Sequence, residues 1–276
     1  MKAFLRNKLK KSLYKSAFSR SFYTLWGVVI NEIRVSFSQF YTWKYPLRSL
    51  LRVISIISSA LLRLVLGRSL KYSFAFTGED RIIEGILKPI VTGKGYYVDI
   101  GCNHPKFLSN TYNLYRRGWK GICVDANEEL IKKYALCRPK DIAVQALVSN
   151  KIEERPFYFS QNDVLSTTEQ SNLQIIVNQG LTYERKQFLP KTLTSILDQN
   201  NFAREFDLLS VDVEEHDLQV LNSLDFEKYS PKLIIVEDES FEISTQEGNA
   251  INLFLESRGY LLVGSVLKNQ YYLKNN

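Results

Sequence analysis

At 276 residues the chain is long enough for one α/β domain with an appendage and too short for two full enzyme domains. Its composition, 45% hydrophobic and 24% charged, excludes wholesale disorder. The net charge of +7 is unevenly placed: residues 1–70 hold 13 Lys/Arg against the single acid Glu32, whereas residues 71–276 hold 23 bases against 28 acids. That division marks a domain boundary near residue 70. It also argues against nucleic acid as a partner, because a fold that binds nucleic acid carries its basic excess itself.

Residues 1–70 alternate basic and apolar patches, from Lys8, Lys10, Lys11 and Lys15 to Phe22, Tyr23, Leu25, Trp26 and Ile30. A second apolar stretch, Leu50–Leu66, is interrupted by Arg52 and Arg63, so no run approaches the roughly 20 apolar residues of a spanning helix. No small-residue cleavage site follows a clean apolar core, which speaks against a signal peptide. The pattern predicts a basic amphipathic helical extension lying on an anionic membrane surface, with Lys/Arg outward and Trp/Phe/Leu inward. A helical cap on the main domain, or a partner-binding arm, is the alternative.

Beyond Gly67 short apolar runs alternate with helical segments. Arg81–Leu87 reads as a helix ending at Lys88-Pro89, and Tyr96–Ile100 as a buried strand closed by Gly101. Thr111–Arg117 is the next helix, Gly121–Val124 a strand, Glu128–Cys137 a helix stopped before Pro139, and Ile142–Val148 a third strand. Ser160–Gln187 has no periodic signal and reads as loop bordering a substrate pocket. Phe206–Val211 and Leu233–Val236 are strands separated by a helix, Asp217–Leu224, with Asp217 at its N-cap. A helix at Ala250–Arg258 precedes two strands, Tyr260–Val266 and Gln270–Leu273, joined as a hairpin. Repeated βα units imply an α/β fold whose sheet is mostly parallel, with an antiparallel C-terminal edge. Cys102, Cys123 and Cys137 form no CxxC pair, and with two histidines they give no zinc framework; their odd count suits a reducing, cytoplasmic setting.

In open α/β sheets ligands bind beyond the carboxyl ends of the strands. The first strand carries Asp99 and runs into Gly101, Cys102, Asn103 and His104; the second ends at Asp125-Ala126-Asn127. The first loop is not GxGxxG, since Asn103 stands where a second glycine would be, which counts against a dinucleotide. Two acids at the ends of successive strands fit a nucleoside without a pyrophosphate, Asp125 accepting from ribose hydroxyls. Asp125 or Asn127 as a plain helix N-cap is the competing reading. Ala146, Leu147 and Val148 are placed to pack on a base, and Asn110 to line the far end of the ligand. His104, which follows the first loop, fits a cofactor role as well as a structural one.

Val98-Asp99-Ile100-Gly101-Cys102-Asn103-His104-Pro105, Ser109-Asn110-Thr111, Gly118-Trp119-Lys120-Gly121-Ile122 and Val124-Asp125-Ala126-Asn127 resemble the FkbM family of S-adenosylmethionine-dependent methyltransferases. Thr192–Leu197, Asp207–Glu214 and Pro231–Glu237 resemble the family's later helix and strands, so the likeness spans roughly residues 75–265 and leaves residues 1–70 aside. It implies a Rossmann-like class I methyltransferase sheet over 71–276, with S-adenosyl-L-methionine as methyl donor. The cofactor-binding set it implies is Asp99, Gly101, Asn103, His104, Asn110, Asp125, Ala126 and Leu147. In one place the chain departs from the family pattern: Glu215 stands where the family usually has glycine.

Methyl transfer to a hydroxyl needs positioning and a general base. The loop after the fourth predicted strand offers Asp212, Glu214, Glu215, His216 and Asp217. His216 is the first candidate because its ordinary pKa, about 6.5, lies near working pH; Asp212 orients it or is itself the base, and Glu214 stands beside them. No metal is expected, although Asp212, Glu214 and Glu237 are oxygen donors of the kind Mg²⁺ takes. The expected acceptor is a glycan or glycolipid hydroxyl, met at the inner face of a membrane. A nicotinamide-dependent oxidoreductase and a catalytically inactive membrane scaffold are the rival readings.

Overall fold

A computed structural model describes residues 73–275 apart from 163–164, 239 and 242–248, together with the isolated upstream positions 54, 55, 58 and 61. The extension expected over residues 1–70 lies outside the described residues but for those positions. The chain divides into two compact units after Tyr72, and the fold below is that of Ser73–Asn276. Among the described residues no helix is long and apolar enough to cross a membrane.

Strand β1 (Tyr96–Ile100) is flanked in parallel by β2 (Lys120–Asp125) and β6 (Glu205–Val211). Beyond them lie β3 (Ile142–Gln145) next to β2 and β7 (Ser230–Glu237) next to β6, also parallel. β9 (Asn269–Lys274) runs antiparallel between β7 and the edge strand β8 (Tyr260–Val266), giving the order β3-β2-β1-β6-β7-β9-β8. This is the mostly parallel sheet with an antiparallel C-terminal edge expected of a class I methyltransferase. Strand order reverses at β1, so the loops after β1 and β6 face one another across the carboxyl ends.

The period-2 alternation of buried strands feeds two cores. Val98 and Ile100 of β1 point to one face, where α5 (Leu193–Gln199), α6 (Asp217–Asn222) and α7 (Ala250–Glu256) bury Leu197, Val220 and Leu255. Tyr97 points to the other, beneath α1 (Glu79–Leu87), α2 (Tyr112–Arg116) and α3 (Glu128–Cys137), which bury Leu87, Tyr112 and Tyr134. Each fully buried aliphatic or aromatic side chain contributes about 1.5–3 kcal/mol, so helices on both faces are what a sheet this apolar needs.

Three expectations require correction. The third strand ends at Gln145, not Val148, because Ala146–Val148 leaves the ladder; Val148 pairs again only as a bridge to Lys191. Asp217 is the first residue of α6 rather than its N-cap, a place taken by His216. The stretch read as loop, Ser160–Gln187, holds α4 (Gln170–Asn178) and most of β5 (Tyr183–Phe188), which pairs antiparallel with β4 (Arg155–Ser160) just before it. Five of the six β5 residues are exposed, so the apolar alternation that betrays a strand is missing there. Phe157, Phe159 and Phe188, with ring centroids 4.7–5.9 Å apart, pack with Ala126 and Leu147. This insertion forms a cap beside the sheet's carboxyl ends.

Candidate active site

The loops after β1 and β6 touch through backbone at Gly101 and Asp212. Gly101 has φ +75, and a Cβ there would overlap the Asp212 carbonyl oxygen, so both the turn and the close approach require glycine. Gly101 N and Cys102 N both donate to Val124 O, and Asp212 N donates to Ile100 O at 3.0 Å. Asn103, at φ +44, donates its backbone N–H to Asp125 Oδ2 at 2.9 Å, while Asn127 N–H donates to Asp125 Oδ1 at 2.8 Å. Asp125 is thus pinned by both oxygens at the mouth of the crevice.

A cavity of about 120 Å³ follows, bordered by Gly101, Asn103, Asp125, Ala126, Leu147, Phe157 and Asp212. It adjoins a larger one of about 830 Å³ that has Asn110, Glu79 and Glu237 in its wall. Leu108, Asp212 and Glu214 border both. The cap borders both, contributing Phe157 and Thr168 to the first and Asn162 and Ile175 to the second.

Of the expected cofactor residues, Gly101, Asn103, Asp125, Ala126 and Leu147 therefore share one cavity and Asn110 borders the neighbouring one. Asp99 and His104 border neither. Asp99 shares the Tyr97 face of β1 and is 4% exposed. Its carboxylate accepts from Thr111 Oγ1, beside the fully buried Arg138. Burial pushes the Asp99 carboxyl up; Arg138, Thr111 and Ser210 pull it partly back. The reading of Asp99 as a direct grip on the ligand is corrected to a buried structural acid. His104 accepts at Nδ1 from the backbone N–H groups of Lys106 and Phe107 at 3.1 and 3.2 Å, shaping the turn.

Arg138 is the centre of that buried network. It forms an ion pair with Asp141 at 2.7 Å, donates to Tyr97 Oη at 2.8 Å and Thr111 Oγ1 at 2.9 Å, and lies over the rings of Tyr115 and Tyr134. Asp141 in turn accepts from Gly121 N–H at 2.9 Å. A buried arginine has no sequence signature, and nothing before the fold announced it.

The acids after β6 are in the opposite condition. Ligand oxygens of Asp212, Glu214 and Glu237 lie within 4.8 Å of one another. Burial, followed by the charges of Glu237, Asp217 and Glu214, pushes the Asp212 carboxyl well above the ordinary carboxylate range. Asp212 and Glu237 are close enough for their like charges to oppose one another. Asp217 is pushed up by burial and Glu237, against the hydrogen bond it accepts from Val213 N–H at 3.3 Å. The trio has the reach to hold a cation, but acidic clusters of this kind are common without one. Glu214 and Glu215 carry φ of +53 and +70, so the side chain that replaces the family's glycine sits in the left-handed region.

His216 is 3% exposed and borders the first cavity, with both ring nitrogens engaged by Glu169, Ser149 and Arg155. Burial and the neighbouring Arg155 hold its pKa below the usual histidine value. A histidine so occupied is poorly placed to receive an acceptor's proton; Asp212, which faces both cavities, is better placed.

The cavity suits the methyl donor that the sequence resemblance implies. Ala126, Leu147 and Phe157 offer apolar walls for a flat base, Asp125 a pinned carboxylate for ribose hydroxyls, and the acids after β6 an environment for a sulfonium cation. Comparison with known proteins agrees. Residues 99–262 match the model of the methyltransferase FkbM domain, and the chain belongs to the FkbM methyltransferase family, whose methyl donor is S-adenosylmethionine. It is therefore an S-adenosylmethionine-dependent methyltransferase, and the nicotinamide and inactive-scaffold readings are set aside. No curated protein matches the chain. Among solved structures it is similar to a TehB-like SAM-dependent methyltransferase from Corynebacterium glutamicum, at 11% identity and TM-score 0.37, covering 79% of this chain and 95% of that one. It is also similar to a precorrin-6y C5,15-methyltransferase from Geobacter metallireducens, at 10% identity and TM-score 0.36, covering 75% and 94%. An rRNA methylase from Escherichia coli aligns over 98% and 99% at 11% identity and TM-score 0.34. The assignment rests on the family match rather than on these distant structures.

Proposed function

We propose that the enzyme methylates a hydroxyl of a sugar in a glycolipid or surface polysaccharide, working at the inner face of a membrane. The observation that carries this reading is the meeting of two cavities at Asp212 and Glu214. One suits a nucleoside; the other has acids on its floor and exposed apolar side chains at its rim, Phe76 at 80% and Leu267 at 73% exposure. Carboxylates accept from sugar hydroxyls, and an apolar rim accommodates a lipid.

The methyl donor, when bound, supplies an electrophilic methyl carbon on a sulfonium. Asp212 is the general base: its raised pKa brings a carboxylate closer to neutrality, where proton abstraction from an alcohol is most effective. It takes the hydroxyl proton as the acceptor oxygen bonds to the methyl carbon and the carbon–sulfur bond breaks, its electron pair leaving with the thioether. Glu214 and Glu237 hold neighbouring hydroxyls, and Asp125 holds the ribose.

Radiolabelled methyl transfer from S-adenosylmethionine into fractionated extracts of producing cells tests the acceptor. Label should appear in lipid or polysaccharide; label confined to protein or nucleic acid would overturn the assignment. Residues 1–70, with their excess of bases over the single Glu32, support contact with anionic lipid. Changing Lys8, Lys10, Lys11 and Lys15 to Gln in the full chain should weaken sedimentation with anionic liposomes by roughly 1 kcal/mol per Lys. Undiminished sedimentation would remove the membrane from the proposal.

A further inference from the structure

The two nitrogens of the His216 ring reach three separate segments. Nε2 lies 3.1 Å from Arg155 Nη1, on β4, and 3.1 Å from Ser149 Oγ, in the connection after β3. Nδ1 lies 3.1 Å from Glu169 Oε1, at the N-cap of α4. Arg155 Nη2 and Glu169 Oε1, 3.6 Å apart, close the circuit. The chemistry of the partners decides the tautomer. A guanidinium only donates, so Nε2 presents its lone pair to Arg155, and the ring proton resides on Nδ1, aimed at the Glu169 carboxylate. Ser149 Oγ accepts from Lys151 N–H at 3.2 Å, which leaves its own proton for Nε2.

Arg155 and Glu169 both belong to the cap, and His216 belongs to the loop that carries Asp212 and Glu214. A second tie runs parallel: Thr167, bridged to Tyr158 of β4, directs its Oγ1 to the Glu214 carbonyl oxygen at 3.5 Å. Phe157 and Thr168, which wall the first cavity, lie between these ties along the chain.

We propose that His216 is a positioning residue that fastens the cap to the loop after β6 and so holds the shape of the donor cavity. This rests on the family's methyl donor but not on the acceptor proposed above, so the two readings fail separately. A hydrogen bond to a charged partner contributes enough that its loss is read as roughly a tenfold change.

The test uses the full chain with S-adenosyl-L-homocysteine as probe. Its affinity is read by calorimetry and cap opening by amide hydrogen exchange. His216→Leu should speed exchange in β4 and β5 about tenfold, leave β1, β6 and β7 unchanged, and weaken probe binding. His216→Gln, whose amide carries one donor and one acceptor, should recover much of both losses. Arg155→Met, at a side chain 27% exposed, should open the cap in an otherwise intact fold, and its effect should not add to that of His216→Leu. Unchanged cap exchange in His216→Leu, or simple additivity of the pair, would overturn the proposal. Weaker binding with an unmoved cap would make His216 a direct ligand of the probe instead.

Discussion

Two clusters of charge flank the sheet, one around Arg138 beside the first residues of β2 and β3 and one at the carboxyl ends of β6 and β7, and they are built in opposite ways. Around Arg138 every acid has a donor: Asp141 meets the guanidinium, Gly121 N–H and the Tyr97 hydroxyl, and Asp99 meets Thr111. Around Asp212 the neighbours are Glu214, Asp217 and Glu237, whose like charges push its carboxyl up. The first cluster is buried, whereas Asp212, Glu214 and Glu237 are half-buried in the walls of the cavities. The difference teaches that burial alone does not mark a functional acid; burial among like charges does.

Breaking the first cluster should have the largest effect. Arg138→Met leaves Asp141 and Asp99 buried without their cation, and removal of one partner from such a pair costs about 3–5 kcal/mol. Calorimetry should show the Tm falling by roughly 10 °C, at 2–4 °C per kcal/mol for a fold of this size. A fall of a degree or two would mean that the network is dispensable.

Asp212→Asn sharpens the contrast from the other side. Methyl transfer should fall by about 10²–10⁴, the range general bases supply, while the fold gains roughly 1 kcal/mol from relief of like-charge repulsion. Turnover and a thermal melt on one sample check both signs; a destabilised variant would mean that the carboxylate is compensated after all.

The pH response of His216 belongs to the boundary between cap and crevice. Its folded-state pKa lies below the unfolded value of about 6.5, because burial, Arg155 and Lys151 disfavour the charged ring more than Glu169 favours it. The folded chain therefore binds this proton less readily than the unfolded one. The associated stability is fully present above about pH 6.5 and is lost as pH falls below it. Denaturant titrations at pH 7 and pH 5.5 should show a smaller decline for His216→Gln than for the natural chain. Equal declines would locate the sensitivity elsewhere.

The smallest effect is expected at Glu215. With φ at +70, Glu215→Gly should stabilise by about 1 kcal/mol, raising the Tm by 2–4 °C, since the left-handed conformation costs a side chain roughly that much. A fall in Tm would show that contacts of the glutamate outweigh its backbone cost.

Most of the sheet was legible because its strands are continuous apolar runs bounded by Gly, Pro or polar turns, as at Tyr96–Ile100 and Leu233–Val236. The cap was not, because β5 is nearly all exposed and β4 carries Pro156, a residue that argues against a strand in sequence. Within the site, Asp125 was found by its place as the last residue of β2, and Ala126 and Leu147 by theirs just after strands, where side chains reach the carboxyl-end crevice. Asp99 failed the same reasoning because it still lies within β1. There the alternation that sends Val98 and Ile100 to one face sends Asp99 to the Tyr97 face, under the helices. Arg155, Glu169 and Ser149 meet around His216, far from it in sequence, and no local pattern reports such a meeting.

The backbone contact at Gly101 has a consequence for how this enzyme can change. Because the donor loop and the loop that bears the base meet without an intervening side chain, neither can be enlarged or shifted without displacing the other. Adaptation to a new acceptor has little room there, and the tolerant ground is the insertion Arg155–Phe188, whose outer surface is open to solvent and whose inner one borders both cavities.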